Sequence, residues 1–278
     1  MDIKCLEQKI TRLRVSKKAI AIPMTFLMMF FSLFAIISVT YYFAVSKVNT
    51  NTQVLNVATA KQNMNVLEQT LQYVIWQSGS SKSCEVNDCG GTLITAPSSN
   101  LLTINVTDGV FSEVIFNSSI GGVIYEMPNS GSSETGLYLE GTSQVVENKS
   151  GAVSAQLYIE QGEEHPEILL RYRPIVSCVT GGLENSKPVN NVRIYVVNLN
   201  ASQNIQLMGK IPLVASCDGT ETLVESYNLA YAPTSLTVQV SLDQRDGEVS
   251  IPISGNGNGA IINVELVISN TQIQRGLR

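Results

Sequence analysis

The sequence predicts an α+β protein: a long N-terminal transmembrane and heptad-patterned helix followed by an antiparallel, all-β, sandwich-like ectodomain. Three observations carry that reading. Ala19 to Val45 is an uncharged run, AIAIPMTFLMMFFSLFAIISVTYYFAV. Val57, Ala60, Met64, Leu67, Leu71 and Val74 then recur at alternating steps of three and four. From Ser83 onward the apolar period changes to two.

The uncharged run sets the first boundaries. At 1.5 Å per helical residue, Pro23 to Val45 covers roughly 34 Å, against roughly 30 Å of hydrocarbon. A secretory signal has an apolar core of only about 7 to 15 residues, so this stretch reads as a span. Pro23 is tolerated in a first helical turn, where its missing amide hydrogen has no partner, so the helix is expected to begin near Ile20 to Pro23. Tyr41 and Tyr42 fall at the outer headgroup level. The predicted organisation is a basic tail or leader over 1–18, a transmembrane helix over 19–45, a helical extension over 46–79 and a β-rich domain over 80–278, with a sub-boundary near 181–188.

Charge orients the chain. Residues 1–18 hold Lys4, Lys9, Arg12, Arg14, Lys17 and Lys18 against Asp2 and Glu7, a net of +4, which leaves −9 on the rest of a chain of net charge −5. Short Lys/Arg-rich segments stay in the cytoplasm, so the N-terminus is expected inside and the C-terminal domain outside. The acidic ectodomain argues against nucleic acid as a partner.

The extension carries one apolar stripe among Asn, Gln, Thr and Lys. Three heptads are short for a coiled coil, so the stripe is read as packing on the chain's own head. Gly79 closes the helix. Alternating strands follow over Leu102–Val106, Val110–Phe116, Val123–Met127, Val153–Ile159, Val192–Val196, Leu236–Leu242 and Ile262–Ile268. Turns are expected at Asp108–Gly109, Gly121–Gly122, Glu163–Pro166, Gly181–Pro188, Asp243–Gly247 and Gly255–Gly259.

Catalytic, cofactor and metal sites find no support in the pattern, and no enzyme is expected. His165, the only histidine, lies in EEHPE between two strand-like runs and reads as a turn residue. The cysteine spacing is not CxxC, which excludes a zinc site. No GxSxG, HExxH or phosphate-loop motif is present, and Gly255-Asn-Gly-Asn-Gly259 lacks the following lysine and helix. Cys5 lies in the tail, whereas Cys84, Cys89, Cys178 and Cys217 lie beyond the span, where thiols oxidise. Four cysteines allow three connectivities that sequence does not distinguish; proximity favours Cys84 with Cys89 and Cys178 with Cys217. Asn105, Asn117, Asn148 and Asn200 begin N-x-S/T acceptor patterns. With 22 Asn in the chain, chance yields about four such patterns, so they permit glycosylation without arguing for it.

Lys17-Lys18-Ala19 followed by IAIPMTFLMMFFSLFAII resembles the class III signal peptide of archaeal type IV pilins. The resemblance covers roughly residues 15–80. It implies processing at Lys18, Ala19 and Ile20, with Ile20 first in the mature chain, and packing of the N-terminal helix with other pilin-like subunits. Met24 stands at the fifth mature position, where bacterial pilins carry Glu. A head of almost 200 residues fits a minor, tip or pilin-like subunit. The alternative is a permanently anchored β-sandwich ectodomain that binds a surface partner or glycan outside any filament.

Overall fold

The structure, a computed structural model, describes residues 3–128 and 135–276, with side chains from Met24 onward. Helix α1 runs Ile3–Val74. Among the described residues sixteen strands follow: β1 Ser81–Val86, β2 Thr92–Ala96, β3 Leu101–Thr107, β4 Ser112–Ser119, β5 Gly122–Glu126, β6 Tyr138–Glu140, β7 Glu147–Asn148, β8 Ala155–Gln161, β9 Pro166–Tyr172, β10 Ile175–Glu184, β11 Lys187–Asn198, β12 Gln206–Met208, β13 Ile211–Leu229, β14 Ser235–Leu242, β15 Arg245–Pro252 and β16 Ala260–Arg275. The expected class, an apolar N-terminal helix before a β-rich domain, is the one found. Residues 1–53 and 54–278 form two compact units, the second of which holds every strand.

The helix does not begin at Ile20 to Pro23. Its backbone is already helical at Ile3 and continues through Pro23, as proline does in membrane helices where neighbouring groups re-satisfy the freed carbonyl. At the other end the expected stop is found. Regular helix ends at Val74, one further turn is closed by Ile75 N to Leu71 O at 3.0 Å and Gln77 N to Val74 O at 2.9 Å, and Gly79 takes φ +75°. That left-handed conformation suits a residue without a Cβ.

The strands form three sheets. A long sheet has the order β1-β13-β16-β11-β10-β7, a short sheet β12-β2-β5-β9-β8-β6, and a four-stranded sheet β15-β14-β3-β4. Pairing is antiparallel except for β11 with β16 and β7 with β10. Residues 181–188 are no domain joint. Strands β10 and β11 pair through them as one hairpin, with a register shift at Gly181/Leu183 and a turn at Asn185 (φ +51°) and Ser186 (φ +63°). The expected Asp243–Gly247 turn is shorter, with Asp243 (φ +49°) and Gln244 (φ +63°) at its corners and Gly247 paired with Val240 inside β15. Tertiary bonds hold this glycine-free turn: the Asp243 carboxylate accepts from Leu101 N at 2.9 Å and from Arg171 at 3.1 Å.

Two cores result. In the first, Ala60, Met64, Leu67, Leu71, Val74 and Ile75 of α1 are fully buried against Leu157, Ile168, Leu170 and Tyr172 of the short sheet and Leu213, Ala215 and Ile273 of the long one. The heptad stripe therefore packs within the chain. In the second, Leu102, Ile104 and Val106 of β3 and Leu236, Val238 and Val240 of β14 face Val192, Ile194, Ile262, Val264 and Leu266 of the long sheet. Strand β16 serves both cores from opposite faces. Ile262, Val264, Leu266 and Ile268 are buried on one side, and Ser269, Thr271 and Ile273 on the other.

Leu71→Ala is expected to destabilise the head by about 2 to 5 kcal/mol, as transfer and cavity terms add at a fully buried site. Val66→Ala, on the same helix but 38% exposed, should change stability by less than about 1 kcal/mol. Denaturant midpoints of the detergent-solubilised chain, followed by near-UV circular dichroism, test the contrast.

Candidate functional site

Among the described residues an extended apolar surface lies exposed on the first half of α1. From Met24 to Val45 no residue is charged and every side chain is exposed, with Phe26, Met29 and Tyr41 each above 70%. The 22 residues cover about 33 Å at the helical rise. This is a helix long and apolar enough to cross a membrane. Within it Ser32 Oγ donates to Met29 O at 2.8 Å. The first cation after the span is Lys47. Beyond it Thr50, Thr52 and Thr59 donate to the carbonyls of Ser46, Val48 and Leu55 in the preceding turns. Lys18, Ala19 and Ile20, the processing residues of the sequence reading, belong to the helical backbone, and their side chains lie outside the described residues.

The four head cysteines are free thiols, which corrects both expected disulfides. Cys178 aligns with Val192, Val192 with Val264, and Cys217 with Thr271. The two cysteines are thus three strands and seven residue positions apart in one sheet, more than about 20 Å by strand geometry, whereas a disulfide needs Cα atoms about 4.4 to 6.8 Å apart. Proximity in sequence misled because β13 and β10 are separated by β16 and β11. Cys217 instead works at the helix end. Its thiol and the Ser269 hydroxyl both donate to Ile75 O, and Gly79 N donates to Cys217 O at 2.8 Å. The bond that closes Cys84 with Cys89 is absent as well. Cys89 Sγ lies 2.8 Å from the Tyr125 hydroxyl, and Cys84 is held by Thr70. Burial pushes the Cys84, Cys89 and Cys178 thiols above their ordinary value, so they stay protonated.

The acceptor asparagines differ in presentation. Asn117, Asn148 and Asn200 are exposed. Asn105 is half-buried on the outer face of the four-stranded sheet, where it donates to Ser112 at 2.9 Å and to Gln239 at 3.0 Å. His165 lies in the turn between β8 and β9, where its carbonyl accepts from Gly162 N at 3.0 Å. Its Nε2 is 4.0 Å from Glu164 and its Nδ1 has no partner, so nothing orients the ring as a general base requires. Gly255–Gly259 is a tight turn closed by an isolated Asn256–Gly259 bridge, and not the expected hairpin, because β15 and β16 on either side of it belong to different sheets. A Cβ at Gly259 (φ +111°) would stand 2.0 Å from Leu229 O. Among the described residues no group of three or more His, Cys, Asp or Glu is placed to hold a metal ion.

Sequence reading missed two buried polar centres. Arg173, 2% exposed in its side chain, donates to Ser154 Oγ, to the carbonyls of Thr142 and Gln144, and to Glu147. It pins the segment between β6 and β8 to the sheet. Burial acts to raise the Glu147 carboxyl, but hydrogen bonds from Lys149 and Ser154 and the charge of Arg173 outweigh it, so its pKa lies below the ordinary value. The second centre is Glu68 on α1, 1% exposed and the one charged residue among the described buried residues of that helix. A charged residue interrupting a heptad run at Glu68, and paired arginines in RYRP, were the available signals.

Compared with family models, curated proteins and solved structures, the chain matches none of them.

Alkylation of the denatured, unreduced protein should label all four head thiols, read as mass shifts on peptides containing Cys84, Cys89, Cys178 and Cys217. Arg173→Ala should cost about 1 to 3 kcal/mol, as it removes the donor that satisfies Ser154 and the carbonyls of Thr142 and Gln144, while Glu147 keeps Lys149 at 2.7 Å. Because the Glu147 pKa is depressed in the folded state, its contribution to stability is present above its unfolded value and is lost as pH falls through the folded one. Acid titration of wild type and Arg173→Ala should therefore show the stability difference narrowing as pH falls below about 4.5.

Proposed function

We propose that this chain is a single-pass surface protein of the archaeal pilin-like kind, with its N-terminus cytoplasmic, its β-rich head extracytoplasmic, and its apolar helix serving first as a membrane anchor and then as a packing surface for other subunits. One observation carries the reading: a single helix holds an apolar span bare on all sides over Met24–Val45 and then a stripe fully buried in the head. Burying a large apolar side chain is worth about 1.5 to 3 kcal/mol, so Met28, Met29, Phe30, Phe31 and Phe34 require lipid or neighbouring helices around them. Lipid and a filament core supply equivalent surroundings, and passage between them keeps the span out of water. The basic tail and the Lys-Ala-Ile pattern at Lys18, Ala19 and Ile20 support both the orientation and the leader.

The mature protein is then expected to begin at Ile20, which removes all six basic residues of the tail. Retaining them would tether the chain, since drawing Lys or Arg through hydrocarbon costs about 2.5 to 3.5 kcal/mol each. Mass spectrometry of the native N-terminus decides the point: a chain beginning at Met1 or Asp2 replaces the subunit reading with a fixed anchor carrying a binding head. Protease added to intact cells should digest the head. Protection of the head with digestion of the tail would reverse the orientation.

A further inference from the structure

We propose that Glu68 and Glu140 form a proton-sharing clasp between α1 and β6, closing the edge of the short sheet on the helix when a proton is shared and loosening it when both carboxyls ionise. This inference concerns the head alone and does not rest on the membrane or filament reading.

The geometry begins with a helix row. Glu68 and Gln72 of α1 and Trp76 in the turn that follows it lie at successive steps of four, and all three address the segment around β6 and the connection after it. Trp76 Nε1 donates to Ala152 O at 3.0 Å. The Gln72 side-chain amide donates to Glu68 Oε1 and also approaches Glu140 Oε1 at 3.4 Å. One amide nitrogen thus gathers both carboxyls. Two carboxyls drawn to one donor repel when both are ionised, and a proton on one of them relieves that repulsion.

The groups acting on Glu68 contain no cation. From its own helix there is Gln72, and from β6 there is Glu140. From β9 there is Tyr172, whose hydroxyl is buried without a partner and feels both carboxyls. Burial first, and the Glu140 charge second, raise the Glu68 pKa from 4.5 to about 7. A carboxyl raised on folding contributes stability that is fully present below its unfolded value. The contribution declines as pH rises and is gone above about 7. The direction is opposite to that of Glu147.

The element on the far side of the clasp is short, and its other ties are the stack of Tyr138 on Tyr158, the packing of Leu139 on the first core and the backbone bonds of Gly136 and Leu137 with Ile159. Strand β6 has three residues at the sheet edge, and its pairing with β8 shifts register between Tyr138 and Glu140. Gly141 follows at φ +77°, with Ala155 O 2.4 Å from where a Cβ would stand. Residues 142–147 beyond it are pinned by Arg173, so opening is confined to roughly one edge strand. Local opening of that size is the least costly kind.

Hydrogen exchange of the full-length protein in detergent micelles, read by mass spectrometry at pH 6 and pH 8 and corrected for the chemical exchange rate, tests the clasp. Peptides covering 137–141 should gain on the order of tenfold in corrected exchange at pH 8, while β16 peptides should not. Glu68→Gln and Glu140→Gln should each abolish the gain, and where one variant fails to fold the other supplies the comparison. Corrected exchange that does not change between the two pH values, or a gain that survives in the folded glutamine variant, would overturn the proposal.

Discussion

Strand β16 must bury one face against the four-stranded sheet and the opposite face against α1, and the architecture of the head follows from meeting both demands. Successive side chains on a strand point to opposite faces, so the change of buried face between Ile268 and Ser269 requires no break in the strand. A single long sheet can then carry two hydrophobic cores side by side. The antiparallel partner β13 and the parallel partner β11 run beside it: the buried residues of β11 divide between the same two cores, whereas Ile211, Leu213 and Ala215 of β13 join the first and Tyr227 and Leu229 border the second.

The helix meets the first core with an apolar stripe and leaves the rest of its circumference to solvent. Its earlier half carries no charge between Met24 and Val45 and is long and apolar enough to cross a membrane. The same backbone therefore obeys two solvation rules in succession. The join is the run Ser46 to Gln53, SKVNTNTQ, exposed throughout and composed largely of weak helix formers.

Polar groups complete what the apolar cores begin. The carbonyl of Ile75 would be an orphan at a buried helix end, and Cys217 and Ser269 satisfy it from two different strands. Arg173 performs the equivalent service for the carbonyls of Thr142 and Gln144. Glu68 differs from both, since its nearest charged neighbour has the same sign. It is a buried carboxyl partnered by another carboxyl, which makes the proton part of the packing.

Local periodicity was enough to establish the helix, its stop at Gly79, its intramolecular stripe and the central strands Leu102–Val106, Val192–Val196, Leu236–Leu242 and Ile262–Ile268. These depend on neighbours two, three or four residues away, which the chain displays directly. The second half of β13 escaped that reading, because Thr220 to Ser226 has no buried face and follows β16 through backbone pairing. Strand β16 beyond Ile268 escaped for a related reason: its inward residues Ser269 and Thr271 are polar and are buried for the hydrogen bonds they make. The disulfides failed because sheet order is set by long-range pairing, which placed β16 and β11 between β13 and β10. The Glu68 and Glu140 contact likewise joins residues 72 positions apart. Sequence determined which surfaces of each element need burial, and tertiary structure decided which elements bury them, since burial is a local demand and partnership is a global arrangement.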